Sequence, residues 1–573
     1  MHALRPVVTR AMPGAGQLEG FGDLDPLLAR LYAMRGLRSA RELEYGLAGL
    51  APVGMLENVD AAAELVIANR ERRIIIVGDF DVDGATSTAL MLRCLREFGF
   101  RDVEYLVPNR FEYGYGLSRD IVRVAAAREP ALLITVDNGI SSIGGVAEAN
   151  ALGIDVLVTD HHLPGAALPE AAVIVNPNLP GSRFPSRNLA GVGVAFYLVA
   201  CIGRLLEERG QAGAARIPAK YLDLVALGTV ADVVPLDYNN RILVYQGLQR
   251  IRGGHSVAGI EALLRQSGRA PARCVSTDLG FVVGPRINAA GRLEDISVGI
   301  ECLMTDDAAT AQEDARLLDS INSERRDIEA TMREQAFQYV DRMGAQHWPP
   351  CVCVFEQSWH QGVVGLIAAR VRERCNRPVI AFARDNGERL KGSARSIPGV
   401  HIRDLLESVS TAKPGLIEKF GGHAMAAGLT IRESALAEFR ELAARQMRRL
   451  YADADFSGAI VTDGGLPGSA LTLDFARRLR DAGPWGSGFP EPVWSGDFEV
   501  VEQRVVGENH LKLRVRSAAG GGIVDAIAFN QAGPAYRGRV QLAFRLDVNE
   551  YRGIENPQLV VEQIAPLQAR GAC

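Results

Sequence analysis

The sequence predicts an α/β protein of several domains: a parallel-sheet domain, a long connecting helix, a smaller α/β domain and a C-terminal β-barrel of the OB type. Three observations carry this expectation. Apolar runs at 74–77, 132–136, 156–159 and 173–175 alternate with helical segments such as 85–98 and 121–127, the pattern of βαβ units. Over 301–346, Ala311, Ala315, Leu318, Ile321, Ile328, Met332, Ala336 and Val340 recur at helical spacing with charges between, and Asp306 and Asp307 suit a helix start. After residue 455 the pattern changes to short alternating runs at 498–501, 511–515, 523–528, 540–547 and 558–562, five strands that fit a small barrel.

A chain of 573 residues, 47% hydrophobic and 23% charged, exceeds one hydrophobic core, so three or four domains are expected. A net charge of −5 excludes a broadly basic surface, so any nucleic-acid site is a local groove. Eight scattered cysteines without a CxxC pair argue against a disulfide framework or a zinc site. In a strand, Cys351 and Cys353 would share a face. The apolar run 192–203 is too short to cross a bilayer, and the first residues lack a signal-peptide pattern. The expectation is therefore a cytoplasmic protein with no membrane contact. Residues 1–50 hold a short helical region, 24–45, with no identifiable chemistry.

The first apolar run ends in Gly78-Asp79-Phe80-Asp81-Val82-Asp83-Gly84. Three carboxylates crowded together repel one another, and burying them is costly unless a cation sits between them. The plain alternative is an acidic turn whose aspartate caps a helix starting near Ala85. Asp137 follows the second run, Asp160-His161-His162 the third, and Asp232 stands near the end of another apolar segment, 224–232. The carboxyl ends of parallel strands share one edge, where ligands bind, so these clusters can converge. Any one of them alone is an ordinary turn or cap. Aspartates with one or two histidines and no cysteine suit manganese or magnesium. There are enough acidic ligands for two ions, a pair used to transfer phosphoryl groups to water.

Asp160-His161-His162 is the signature of the DHH phosphoesterase family. With Gly78 to Gly84 and Gly228-Thr229-Val230-Ala231-Asp232-Val233-Val234-Pro235-Leu236, the chain resembles that family, and within it the exonucleases that degrade single-stranded DNA 5′→3′. The resemblance extends to Pro108-Asn109-Arg110 with Gly114-Tyr115-Gly116-Leu117, to the GPRINAAGR stretch from Gly284 to Arg292, to Gly392-Ser393-Ala394-Arg395-Ser396, and to Gly421-Gly422-His423-Ala424-Met425-Ala426-Ala427-Gly428. It covers about residues 50–565. It implies an N-terminal helical segment (1–50), a DHH catalytic domain (51–300), a connecting helix (301–346), a DHHA1 domain (347–452) and an OB domain that binds DNA (455–573). Asp81, Asp83, Asp137, His161 and Asp232 match metal-ligand positions, with Asp137 as the bridge and Asp79 in the same pocket. His162 would stand beside the scissile phosphate, and with Asp137 and His161 form the catalytic group. Arg110, Ser393 and Arg395 match positions that hold a terminal 5′-phosphate. Arg286, Asn288, Arg292, Gly422, His423, Lys512 and Arg514 would lie along the DNA path.

In the second lobe, a strand at 351–355 leads to Trp359-His360-Gln361-Gly362 and an apolar helix, 363–371. Lys391 to Ser396 bring cations and hydroxyls together, and Gly421-Gly422-His423 offers bare amides, which suit a phosphate. The glycines alone would equally mark turns. The long helix would hold the two lobes at a set spacing. In the barrel, Lys512, Arg514 and Arg516 alternate along one strand, so one face would be basic, as in single-strand binders. Composition alone also allows a purely structural barrel. Trp485 and Phe489 stand where the family often shows Phe and Asn, and either stacking on bases or simple packing fits them. The resemblance implies a 5′→3′ exonuclease with two Mn²⁺ or Mg²⁺ ions, acting on single-stranded DNA in recombination and repair. It also implies a monomer that works with a helicase and a single-stranded-DNA-binding protein. The alternatives are a DHH phosphodiesterase for oligoribonucleotides or cyclic dinucleotides, and a non-catalytic single-strand-binding relative.

Overall fold

The computed structural model describes residues 4–107, 116–385, 387–533 and 535–567. The chain forms two compact units, one of Met1–Val8 with Ser323–Val461 and one of Thr9–Asn322 with Thr462–Cys573.

The larger unit is built on a parallel sheet ordered Val103–Leu106, Ile74–Val77, Leu132–Val136, Asp155–Thr159, Val173–Val175. Successive side chains alternate between faces. Ile74, Ile76, Leu132, Ile134 and Leu157 enter one core with helices Val82–Glu97 and Gly191–Glu208. Ile75, Val77, Leu133, Val156 and Val158 enter a second core with helices Arg119–Ala126 and Ile143–Ala151. Burial on both faces explains why these strands read as unbroken apolar runs.

Three expectations need correcting. The apolar segment that ends at Asp232 does not belong with the strand ends: it is a helix, Leu222–Ala231, with Asp232 as its C-cap. It is apolar all round because it is packed between helices, with Gly228 against Thr86 and Val192. The single helix expected over 301–346 is two, Ser297–Met304 and Ala308–Met343. The break falls where the Asp307 carboxylate accepts from the Thr310 amide at 2.7 Å and so caps the second helix. The N-terminal region holds helix Pro26–Ala33 and also strand Val7–Thr9, which pairs with Ile460–Thr462.

The barrel is closed, in the order Trp494–Val506, His510–Ser517, Ile523–Ala528, Ile554–Pro566, Gly538–Tyr551. All five expected strands are present, and most extend beyond their apolar runs. Trp494, Phe498, Leu513 and Phe544 continue the core of the parallel-sheet domain. Trp485 and Phe489 are buried, stacked 5.1 Å apart, and lie 6.0 and 6.2 Å from Tyr32. They pack the core and offer no face to a base.

The smaller unit has a mixed sheet, Lys419–Gly422, Ala426–Arg432, Arg389–Arg395, Val379–Arg384, Val352–Phe355. Helices Val364–Cys375, Ile402–Ala412 and Leu436–Leu450 accompany it. Cys351 and Cys353 enter the same core, and the seven described cysteines are all free and buried. Among the described residues no helix is long and apolar enough to cross a membrane.

Candidate metal centre and phosphate-binding residues

The parallel register places Val77, Thr135 and Val158 side by side, and Val136 beside Thr159. The residues that follow these strand ends therefore meet. Asn138 ties the edge together by donating to the carbonyls of Val77 (3.0 Å) and Val136 (2.9 Å). Asp137 has φ +61°, a left-handed conformation that turns its carboxylate back over the edge. A Cβ at Gly191 would come within 2.5 Å of the Asp137 Cβ, so only glycine fits there.

The three aspartates of the first cluster do different things. Asp81 is the N-cap of helix Val82–Glu97, its Oδ1 accepting from the Gly84 amide at 3.1 Å. The capping role and membership of the acidic group coexist in one residue. The buried Asp83 carboxylate accepts from the amides of Gly191 (2.6 Å) and Val192 (2.9 Å), at the start of helix Gly191–Glu208. Asp79 accepts from the Phe80 amide at 2.8 Å.

Two ligand groups result. Asp79, Asp81 and Asp137 bring carboxylate oxygens within 4.8 Å of one another, and the ligand atoms of Asp83, His161 and Asp232 lie equally close. His161 Nε2 lies 3.1 Å from Asp137, 3.5 Å from Asp232 and 3.9 Å from Asp83, so Asp137 adjoins both groups. Asp137, His161 and His162 form a third such set. Burial, then repulsion from Asp81, pushes Asp83 up to about 7. Burial and the carboxylates of Asp83, Asp81 and Asp79 drive Asp137 well above the ordinary range, and Asp232 rises for similar reasons. Such a cluster carries its full charge only with cations among the oxygens. The donor set, five carboxylates and an imidazole without a thiol, fits hard divalent ions.

Asp160, which the sequence offers only as part of a motif, organises the histidines. Its carboxylate accepts from the amides of Ile140 (2.9 Å), His161 (2.7 Å) and His162 (3.1 Å) and from His162 Nδ1 (2.7 Å). Burial alone would raise Asp160, but the His162 contact holds it at about 2. Burial likewise opposes charge on His162, yet Asp160 raises it to about 9. Asn176 and Asn178 donate to the carbonyls of His162 (2.9 Å) and His161 (2.7 Å). The Gly191 and Val192 amides also escape sequence reasoning. The apolar run that starts there speaks only to membrane insertion, and the glycine ahead of it is the one available signal.

In the smaller unit, Arg395 and Ser393 share strand Arg389–Arg395, with Arg395 Nη1 3.0 Å from the Ser393 hydroxyl. At Gly365, in the first turn of helix Val364–Cys375, a Cβ would stand 2.9 Å from the Arg395 guanidinium and 3.0 Å from the Ser393 hydroxyl. Burial, and then Arg372, lower the affinity of Arg395 for its proton. Among the described residues no carboxylate pairs with it. Arg110 lies outside the described residues.

The DNA-path residues fare unevenly. Arg286 is buried and paired with Asp319 at 2.8 Å, so it braces helix Gly284–Leu293 rather than lining a passage. Asn288 accepts from the Val82 amide at 3.2 Å, beside the acidic loop, and Arg292 is half-buried on the same helix. The His423 amide is spent on the Ala426 carbonyl at 2.8 Å, and Gly422, with φ +141°, pairs with Ala427. The basic face expected from Lys512, Arg514 and Arg516 is neutralised from neighbouring strands. Lys512 meets Asp525 at 3.0 Å, Arg514 meets Glu502 at 3.5 Å, and Arg516 meets Glu499 at 3.0 Å.

A parallel sheet with this rim of aspartates and paired histidines defines a DHH-family protein. The family model for the DHH N-terminal domain matches residues 73–229, the DHHA1 domain 349–449 and the RecJ OB domain 462–563. The single-stranded-DNA-specific exonuclease RecJ of Salmonella typhimurium is 49% identical over 557 residues, 95% of this chain and 96% of that protein. The crystal structure of RecJ from Thermus thermophilus in complex with Mn²⁺ matches with a TM-score of 0.82 and 29% identity, over 98% of this chain and 80% of that one. Its Mg²⁺ complex matches with a TM-score of 0.76 and 28% identity, over 98% and 79%. The chain belongs to the RecJ family of single-stranded-DNA-specific exonucleases.

Proposed function

We propose that this protein hydrolyses single-stranded DNA from the 5′ end to 5′-mononucleotides, with two Mn²⁺ or Mg²⁺ ions, in recombination and repair. The observation that carries the reading is the meeting of Asp79, Asp81, Asp83, Asp137, His161 and Asp232 at one sheet edge. In this reading Asp79, Asp81 and Asp137 would hold one ion and Asp83, His161 and Asp232 the other, with Asp137 adjoining both groups. When bound, such ions would supply a hydroxide nucleophile at neutral pH and neutralise charge on the phosphate.

The protein's own groups do the rest. Asp160 holds a proton on His162 Nδ1 and fixes the ring, so that the cationic imidazole steadies the leaving oxygen. Ser393, Arg395 and the amides opening helix Val364–Cys375 seat the terminal 5′-phosphate, and Arg110 joins them by family resemblance. A single-strand substrate calls for a helicase and a single-stranded-DNA-binding protein as partners of a monomeric, cytoplasmic enzyme.

The test is digestion of end-labelled single strands with Mn²⁺ or Mg²⁺. A 5′ label should leave at once as mononucleotide, a 3′-labelled strand should shorten progressively, and duplex should resist. Intact strands with either ion, or loss from the 3′ end first, would overturn the reading.

A further inference from the structure

We propose that Phe281 is a stacking platform for a nucleobase of the strand held at the metal centre. The inference rests on the exonuclease reading above. Phe281 is 76% exposed, more than any other large hydrophobic side chain among the described residues. It sits in a π-helical turn, Leu279–Val283, that runs directly into helix Gly284–Leu293. Such turns insert one extra residue and re-aim the side chains around it, and they concentrate at functional sites.

This rod lies on the metal centre. A Cβ at Gly280 would be 3.1 Å from Val230, and one at Gly284 would be 3.4 Å from Ala231, the residue before Asp232. Further along, Asn288 accepts from the Val82 amide, and a Cβ at Gly291 would be 2.0 Å from the Phe80 carbonyl. Along this rod Phe281 is exposed, while Val282, Pro285, Asn288, Arg292 and Leu293 are half-buried among fully buried neighbours, so its open side is not sealed by the core. On the other side of Asp232, Val233 is 67% exposed with φ +64°, a conformation a β-branched residue rarely takes. Two exposed apolar side chains, Phe281 and Val233, therefore stand on the segments that adjoin Asp232.

An aromatic ring this exposed contributes little to the core, and a flat apolar partner would take its face out of water. A base is the partner that substrate brings to this edge, and stacking on it is indifferent to sequence because every base has a π-face.

The test is a cycle on single-stranded substrates in Mn²⁺. Phe281→Ala, Phe281→Leu and Phe281→Trp are each assayed on normal strands and on strands with one abasic residue stepped through the terminal nucleotides. Phe281→Ala should raise KM by about tenfold or more, with a smaller change in kcat, while Phe281→Trp retains binding. At one abasic position the wild type should lose a similar factor and Phe281→Ala nothing further. An unchanged melting temperature for Phe281→Ala excludes a folding effect. Equal losses from the abasic residue in wild type and Phe281→Ala, or Phe281→Leu binding as well as Phe281→Trp, would overturn the stacking role while leaving the exonuclease reading intact. A wild type that leaves every strand undigested would remove both.

Discussion

The acidic edge and the basic barrel strand look alike in the sequence and behave oppositely in the fold. Both alternate charges of one sign along a short segment. At the sheet edge the alternation is compounded, because parallel register brings Asp137 onto Asp79 and Asp81, and a helix end brings Asp232 onto Asp83, both from far away in sequence. In the barrel it is cancelled, because Asp525, Glu502 and Glu499 on neighbouring strands form ion pairs with Lys512, Arg514 and Arg516. What a charge pattern means depends on what the fold sets across from it. Unrelieved like charge marks a ligand, and relieved charge marks a surface.

The largest expected effect falls at the edge. Asp137→Asn should reduce hydrolysis by about 10³-fold or more while binding of single strands stays within a few fold, since the residue adjoins both ligand groups. Activity near wild type would erase the contrast. Metal-free Asp137→Asn should also melt higher than metal-free wild type, because it removes a buried carboxylate from its repelling neighbours.

Next comes metal removal. The folded pKa of Asp83, about 7 against an ordinary 3.8, means the unfolded chain releases that proton first. The metal-free protein should therefore lose stability as pH rises from about 4 to about 7. Mn²⁺ should abolish that loss, adding about 2.7 kcal/mol when its concentration is about one hundred times its dissociation constant. A melting temperature blind to chelator across this range would contradict the electrostatics.

Arg395→Ala should cut the preference for 5′-phosphorylated over 5′-hydroxyl ends by about tenfold or more, the worth of a charge-assisted hydrogen bond. An unchanged ratio would separate Arg395 from the terminal phosphate. The smallest effect belongs to the barrel strand. Lys512→Ala and Arg514→Ala should each change KM by less than about threefold, because exposed ion pairs contribute little and their carboxylates already compete for the cation. A tenfold rise would restore the strand as a DNA contact.

Much of the fold is readable because buried parallel strands and barrel strands write different apolar periods. The strand-end aspartates are readable for the same reason: knowing where a strand stops locates its edge. Leu222–Ala231 misleads because a helix packed on every side carries no amphipathic period, so its ten residues imitate a buried strand. Asp160, Gly191 and Val192 act through hydrogen bonds whose partners are set only by tertiary register. Arg286 looks like a DNA contact because its partner Asp319 lies on another helix. Trp485 and Phe489 stay ambiguous until Tyr32 stands against them. They also tie the approach to the barrel into the N-terminal helix, so removing residues 455–573 would strip the core as well as any DNA contact.

The most direct test is Mn²⁺ binding to the purified chain, followed by titration calorimetry and electron paramagnetic resonance. Two ions per chain with an exchange-coupled spectrum are expected, and Asp137→Asn should uncouple them or remove one. A single isolated Mn²⁺ signal, the same in wild type and Asp137→Asn, would contradict the shared metal centre.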